Sequence, residues 1–364
     1  MPDARSELAR TVLGRNLKVR KGETVLIEAW PHALPYAQAF VRESRRLGAQ
    51  PTVLYEDDTA WWDAVKGKQF AAFSKLSRAE RSAVASSDVF IYFWGPEDRP
   101  KADGLPDSVQ ERMMGYNEEW YRTARKAGLR GCRMTVAQAT DPVARNFGLN
   151  GPKWRSRLVR AGAVDASRLR AKGQRVVKAL KAGHELRITH PNGTDLRLEL
   201  NGLHSRVDTG LIDAEAMKRP YGMLANNPAG QVLVAIDDSR ASGTLRSNRT
   251  IYIGERRFAG ARWTFEDGRL VKRSLKLGNR EFESAFRKAP KERDRLGLLS
   301  IGLNPQARDL PPCEDTEEGA ALVGIGGNAF VGGQVRIPFL GYALLGGGTI
   351  TIDGKTLARG GRVS

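Results

Sequence analysis

Catalysis and metal binding draw on a short set of side chains, and here that set is sparse. The chain has four histidines, His32, His184, His190 and His204, and none follows residue 204. Its two cysteines, Cys132 and Cys313, stand alone, with no Cys-x-x-Cys pair and no Cys/His cluster at metal-ligand spacing. Neither a structural zinc site nor a disulfide framework is expected. His190 and His204 flank predicted hairpin turns with no carboxylate at a recognisable spacing to orient either ring, which favours ordinary polar roles. The acids Asp57/Asp58, Glu118/Glu119 and Asp237/Asp238 are sequence neighbours. Neighbouring side chains point to opposite faces of a strand and do not face each other on a helix, so none of these pairs makes an acid/base dyad. Gly-Ile-Gly-Gly-Asn at 324–328 has the glycines of a phosphate loop. It lacks the flanking parallel strand and helix and the following acidic residue, so it reads as tight β turns. A nucleophile elbow, a Walker loop and a His-Glu-x-x-His motif are all missing.

The elements that would position any site fall into two kinds. Thr-Val-Leu-Ile-Glu at 24–28, Pro51 to Tyr55, Asp88 to Trp94 and Cys132 to Val136 read as strands. Helical patterns alternate with them, from Pro35 to Leu47, Trp61 to Ala85 and Asp107 to Ala127, which predicts a parallel sheet covered by helices. A further helix spans Asp165 to Ala182, with Asp165 placed to cap it and Gly183 to end it. From Glu185 onward short β runs are broken by Asn-Gly at 192 and 201 and Asp-Gly at 267 and 353, the strongest local hairpin signals. Only Asn279 to Lys288 reads as helix in this half. The expected organisation is an α/β domain over 1–183 and a β-rich antiparallel domain over 184–364. A length of 364 residues, at roughly 150 per domain, fits two.

The formal charge is +18, yet 41% of residues are hydrophobic, which excludes a disordered chain. Ten basic residues and one acid, Asp165, lie between Lys153 and Lys181. A solvated helix face with some packed Arg stems is the favoured reading, and a docking surface for an anionic partner the sharper one. Residues 319–352 carry one charge, Arg336, and ten glycines, which points to buried structure. The uncharged runs there are too short and glycine-rich for a membrane helix of about 20 residues. Met1 to Glu23 contain no apolar signal-peptide core, so a cytoplasmic protein is expected. Trp30, Trp61, Trp62, Trp94 and Trp120 all fall in the first domain, some as core, and a tryptophan-rich face there could also hold a peptide's apolar side chains.

Five segments, Lys-Val-Arg-Lys-Gly-Glu-Thr-Val-Leu-Ile-Glu at 18–28, Asn-Gly-Thr-Asp-Leu at 192–196, Asn-Pro-Ala-Gly-Gln at 227–231, Ile-Gly-Leu-Asn-Pro at 301–305 and Thr-Ile-Asp-Gly at 351–354, resemble in order and spacing the thermophilic aminopeptidases, aminopeptidase T and its relatives. The resemblance spans essentially the whole chain. It implies an N-terminal α/β domain, a β-rich C-terminal domain with a two-metal site, and a homodimer. It also implies where the ligands should be, and there the sequence departs. The two glutamate positions fall at Gln231 and Leu298, the first histidine at Leu322, and the closing His-x-Asp at Leu340 and Tyr342. The tyrosine that assists catalysis falls at Ala329. Leucine offers a metal no donor, and no histidine after His204 could rescue a shifted register. Neither a metal nor another cofactor is expected, and with them goes the family's peptide hydrolysis.

The reading that follows is a pseudoenzyme that keeps a peptide cleft, with Gln231, Leu298, Leu322, Ala329, Arg336, Leu340 and Tyr342 as its candidate lining. The positive charge favours an acidic peptide, and a precursor peptide presented to modifying enzymes in a ribosomal natural-product pathway is the expected context. An enzyme acting on a peptide through a relocated or metal-free site is the alternative. A nucleic-acid binder comes third, because no nucleic-acid motif accompanies the charge.

Overall fold

The computed structural model describes residues 3–69, 75–200, 203–219, 222–237 and 240–364. Two compact units result: residues 1–165 with 210–228, and residues 166–209 with 229–364.

The first unit is built on a parallel sheet. Its strands β1 (Thr24–Ala29), β2 (Gln50–Tyr55), β3 (Val89–Phe93) and β4 (Arg130–Met134) are joined by a fifth, Leu224–Asn227, in the order β2, β1, β3, β4, Leu224–Asn227. β1 and β3 are nearly continuous apolar runs because helices cover both faces of such a sheet. The helical stretch expected from Trp61 to Ala85 is two helices, Asp58–Lys66 and Arg78–Ala85. The first ends at Gly67, and Lys68 then turns with φ of 55°. The second starts anew on a capping box, in which Ser77 Oγ accepts the Glu80 N–H and Glu80 accepts the Ser77 N–H.

Among the described residues, the second unit holds three antiparallel sheets, of five, eight and two strands. In the five-stranded one the strands Leu340–Leu345, Ala321–Gly326, Leu296–Gly302, Gln231–Ala235 and His204–Asp208 lie side by side in that order. The eight-stranded one contains the predicted hairpins. At Asp267-Gly268 and Asp353-Gly354 both central residues have positive φ, 46° and 74° in the first and 46° and 78° in the second, as a two-residue turn with the hairpin's own twist requires. The Asn-Gly at 201 and Asp238 lie outside the described residues.

The domain boundary differs from the expected one at 183. The helix Ala166–Ala182 belongs with the second unit, where Lys172 pairs with Glu318 at 2.6 Å. Residues 210–228 return to the first unit to supply its fifth strand. Among the described residues, no helix is long and apolar enough to cross a membrane.

Candidate functional site

The five-stranded sheet gathers most of the candidate lining. In antiparallel register Leu298 stands opposite Ala235 and Gly324, Ser300 opposite Leu233 and Leu322, and Leu322 opposite Leu344. Directly opposed residues share a face, so one face carries Leu233, Ala235, Leu298, Leu322 and Leu344, onto which Ile251 and Val331 pack. Leu340 and Tyr342 lie against the same cluster. Gly324 makes the closeness possible: a Cβ there would come within 2.9 Å of Leu298 Cβ and 3.4 Å of Leu340.

A polar group adjoins the leucines. Gln231 Oε1 accepts the Ser300 hydroxyl at 2.9 Å, and the Gln231 amide donates to Asp315. Asp315 keeps some surface exposure but is hemmed in by protein, and loss of hydration pushes its carboxyl up to about 6, with Asp208 adding repulsion and backbone N–H groups opposing the rise. Tyr342 is pushed up as well, first by burial and then by Asp315. Glu314 is deeper still, 3% exposed; one oxygen accepts the Tyr252 N–H at 2.8 Å, and burial followed by the Asp315 charge holds it well above the carboxylate range.

Ala329 and Arg336 do not join this group. Both are exposed, Ala329 on the 3-10 turn Ala329–Val331 and Arg336 beyond it. Fully buried Asn328 anchors their loop: its Nδ2 donates to Asp237 Oδ1 at 2.8 Å and Gly297 O at 3.1 Å, and its Oδ1 accepts the Val335 N–H at 2.9 Å. Asn328→Ala would strand several buried partners at about 1–3 kcal/mol each. A loss of roughly 2–3 kcal/mol in urea unfolding is expected, together with faster proteolysis at 329–336. An unchanged unfolding midpoint would refute the anchoring role.

Residues 3–302 match the thermophilic metalloprotease (M29) family. The chain belongs to that family. Its fold resembles that of wild-type AmpT from Thermus thermophilus, at 18% identity and a TM-score of 0.66, covering 99% of this chain and 98% of that one. It also resembles 2,5-dihydroxypyridine dioxygenase from Pseudomonas putida KT2440, at 16% identity and a TM-score of 0.60, covering 99% and 96%. No curated protein sequence matches it.

Against the metal centre that family resemblance implies, the donor set does not fit. Leu298, Leu322 and Leu340 carry no donor atom, and Gln231 is occupied on both sides of its amide by Ser300 and Asp315. Among the described residues, no three His, Cys, Asp or Glu side chains converge as a metal site. Asp208, Ser300, Glu314 and Asp315 belong to no motif in the sequence. Their one sequence signal is the position of the acid-rich run Glu314 to Glu318, immediately before the nearly uncharged 319–352 stretch.

Proposed function

We propose that this protein is a non-catalytic peptide-binding protein on a metalloprotease scaffold. The observation that carries the reading is the donor set: leucines stand at three expected ligand positions and pack on one another. A place for the peptide is supported by the strand His204–Asp208, which pairs with Gln231–Ala235 and has no second neighbour among the described strands. The opposite edge strand is partly covered, since the Asn248 N–H donates to Leu344 O. An extended peptide adds to a free edge through backbone hydrogen bonds and gains specificity from flanking side chains. Here those are Arg206, which donates to Phe330 O at 3.1 Å, exposed His204 and half-exposed Phe330. With a net charge of +18 the fitting partner is acidic. The same reading makes the protein a cytoplasmic homodimer that presents a ribosomally made precursor peptide to modifying enzymes.

Fluorescence-labelled acidic peptides in extended form test it. Saturable binding is expected, weakened about tenfold, or ~1.4 kcal/mol, by Arg206→Glu. Stoichiometric zinc together with hydrolysis of an amino-acid anilide would overturn it, and tighter, salt-sensitive binding of random DNA would favour a nucleic-acid partner instead.

One observation favours the second reading, a metal-free enzyme acting on a peptide. Asp315, held near 6 beside Gln231, Asp208 and Tyr342, can change protonation close to neutrality, as a general acid or base must. Under that reading Asp315→Asn abolishes a peptide turnover whose rate titrates near pH 6; under the binding reading there is no turnover to abolish.

A further inference from the structure

The first unit contains a separate constellation. Between β1 and β3 the chain changes direction: β2 lies on one side of β1, and β4 and the fifth strand lie beyond β3. In open α/β sheets the carboxyl ends of the strands at such a switch form a crevice suited to ligands. Here Glu28 of β1 is in register with Tyr92 of β3, and the chain continues from them to Trp30 and His32 on one side and Trp94 on the other.

The hydrogen-bond inventory at this end does not close. His32 Nε2 lies 3.0 Å from the Trp94 carbonyl oxygen. A carbonyl only accepts, so Nε2 carries a hydrogen, and in the tautomer with that hydrogen alone Nδ1 is an acceptor. Nδ1 is 3.9 Å from Asp58 Oδ2, beyond hydrogen-bond range. Asp58 has its other oxygen on the Glu97 N–H at 2.9 Å, and it is not needed as a cap, because Asp57 accepts the Ala60 N–H of the same helix. Nδ1 and Oδ2 are thus two buried polar atoms 3.9 Å apart, and neither has a hydrogen-bond partner among the described residues. The indole N–H groups of Trp94 and of Trp30, which is 5% exposed, are also buried without a partner. Each such group costs about 1–3 kcal/mol unless something satisfies it.

The walls are aromatic, and charged groups of both signs surround them. Trp30 meets Trp61 edge-on at 6.1 Å, and Tyr92 lies 5.1 Å from Trp94. Trp30 packs so closely on the chain that a Cβ at Gly95 would fall 2.0 Å from its ring. Two of the rings already attract cations of the chain itself, Lys101 over Trp62 at 4.2 Å and Arg99 over Trp94 at 5.3 Å. Glu28, Glu56 and Glu80 repel one another at the same end of the sheet.

We propose that this end of the sheet binds an organic cation, a primary ammonium or guanidinium group whose N–H hydrogens bridge Asp58 Oδ2 and His32 Nδ1 against the tryptophan walls. One donor shared by two neighbouring acceptors satisfies both, and positive charge suits both the rings and the Asp58 carboxylate. The site is independent of the five-stranded sheet and of the peptide reading above.

Agmatine and methylammonium serve as probes with the full chain. Tryptophan fluorescence should change saturably with agmatine, with a Kd of about 1 mM or below, and the 15N signal of His32 Nδ1 should shift as its lone pair gains a hydrogen bond. Asp58→Asn should weaken agmatine about tenfold, with circular dichroism unchanged. Where that variant fails to fold, the His32 signal in the unaltered chain still decides. An unmoved His32 signal in saturating agmatine overturns the proposal. So does saturable binding of acetate in place of agmatine, which would mean that the indole N–H groups select an anion.

Discussion

Glu28→Gln is expected to raise the stability of the first unit at alkaline pH by as much as roughly 5 kcal/mol while changing it little at acid pH. Burial, reinforced by Glu56 and Glu80, pushes the Glu28 carboxyl from 4.5 up to about 8. The folded protein therefore holds a proton that the unfolded chain gives up, and stability falls with pH wherever the native state binds more protons. The favourable contribution is fully present below pH 4.5 and is lost as the pH rises through about 8. That interval, at about 1.4 kcal/mol per pH unit, sets the upper limit, and the side chain's partial exposure lowers it. Glutamine keeps the volume and has no charge to bury. Six of the seven tryptophans, all but Trp263, lie in the first unit, so their fluorescence follows its unfolding in urea at about pH 5 and pH 9. Asp315 and Glu314 titrate with the same sign in the second unit and leave this signal largely untouched. Parallel loss of stability in the variant and the natural chain would sink the expectation.

The same residues show what a sequence can and cannot reveal. β1 and β3 are legible because a strand buried on both faces has to be apolar throughout. The Asp-Gly hairpins are legible because their φ values are set by the two residues themselves. The fifth strand of the parallel sheet, Leu-Ala-Asn-Asn at 224–227, is not: two asparagines read locally as a turn, and only pairing with β4, which ends 90 positions earlier at Met134, makes it a strand. The attachment of residues 210–228 to the first unit is hidden for the same reason, since a return of the chain to an earlier sheet leaves no local mark. At the candidate site the leucines could be placed from the family pattern. The acids around them could not. Glu-Asp-Thr-Glu-Glu at 314–318 has the composition of a solvated loop, and what buries it comes from segments remote in the chain, Tyr252 for Glu314 and Gln231 for Asp315.

Arg249→Met is expected to destabilise the second unit by roughly 3–5 kcal/mol, Glu317→Gln by a similar amount, and the double variant by well under the sum. The pair is bidentate, with Arg249 Nε on Glu317 Oε2 at 2.8 Å and Nη2 on Oε1 at 2.7 Å, and their side chains are 16% and 4% exposed. Glu317 also accepts the Asp309 N–H at 3.0 Å, and its hydrogen bond holds the Arg249 guanidinium above its ordinary range. Removing one partner leaves the other charge buried and uncompensated, whereas removing both leaves two neutral groups, and that difference is the source of the non-additivity. The consequence reaches the candidate site through the chain. Two residues after Arg249, Ile251 packs on the leucine cluster, and the Tyr252 N–H donates to one oxygen of buried Glu314. If Arg249 anchors this segment, either single variant should bind a hydrophobic dye that the natural chain excludes, before global unfolding in urea. Additive single effects, or losses under about 1 kcal/mol, would mean that the pair behaves as a surface salt bridge and that the leucines hold the segment down unaided.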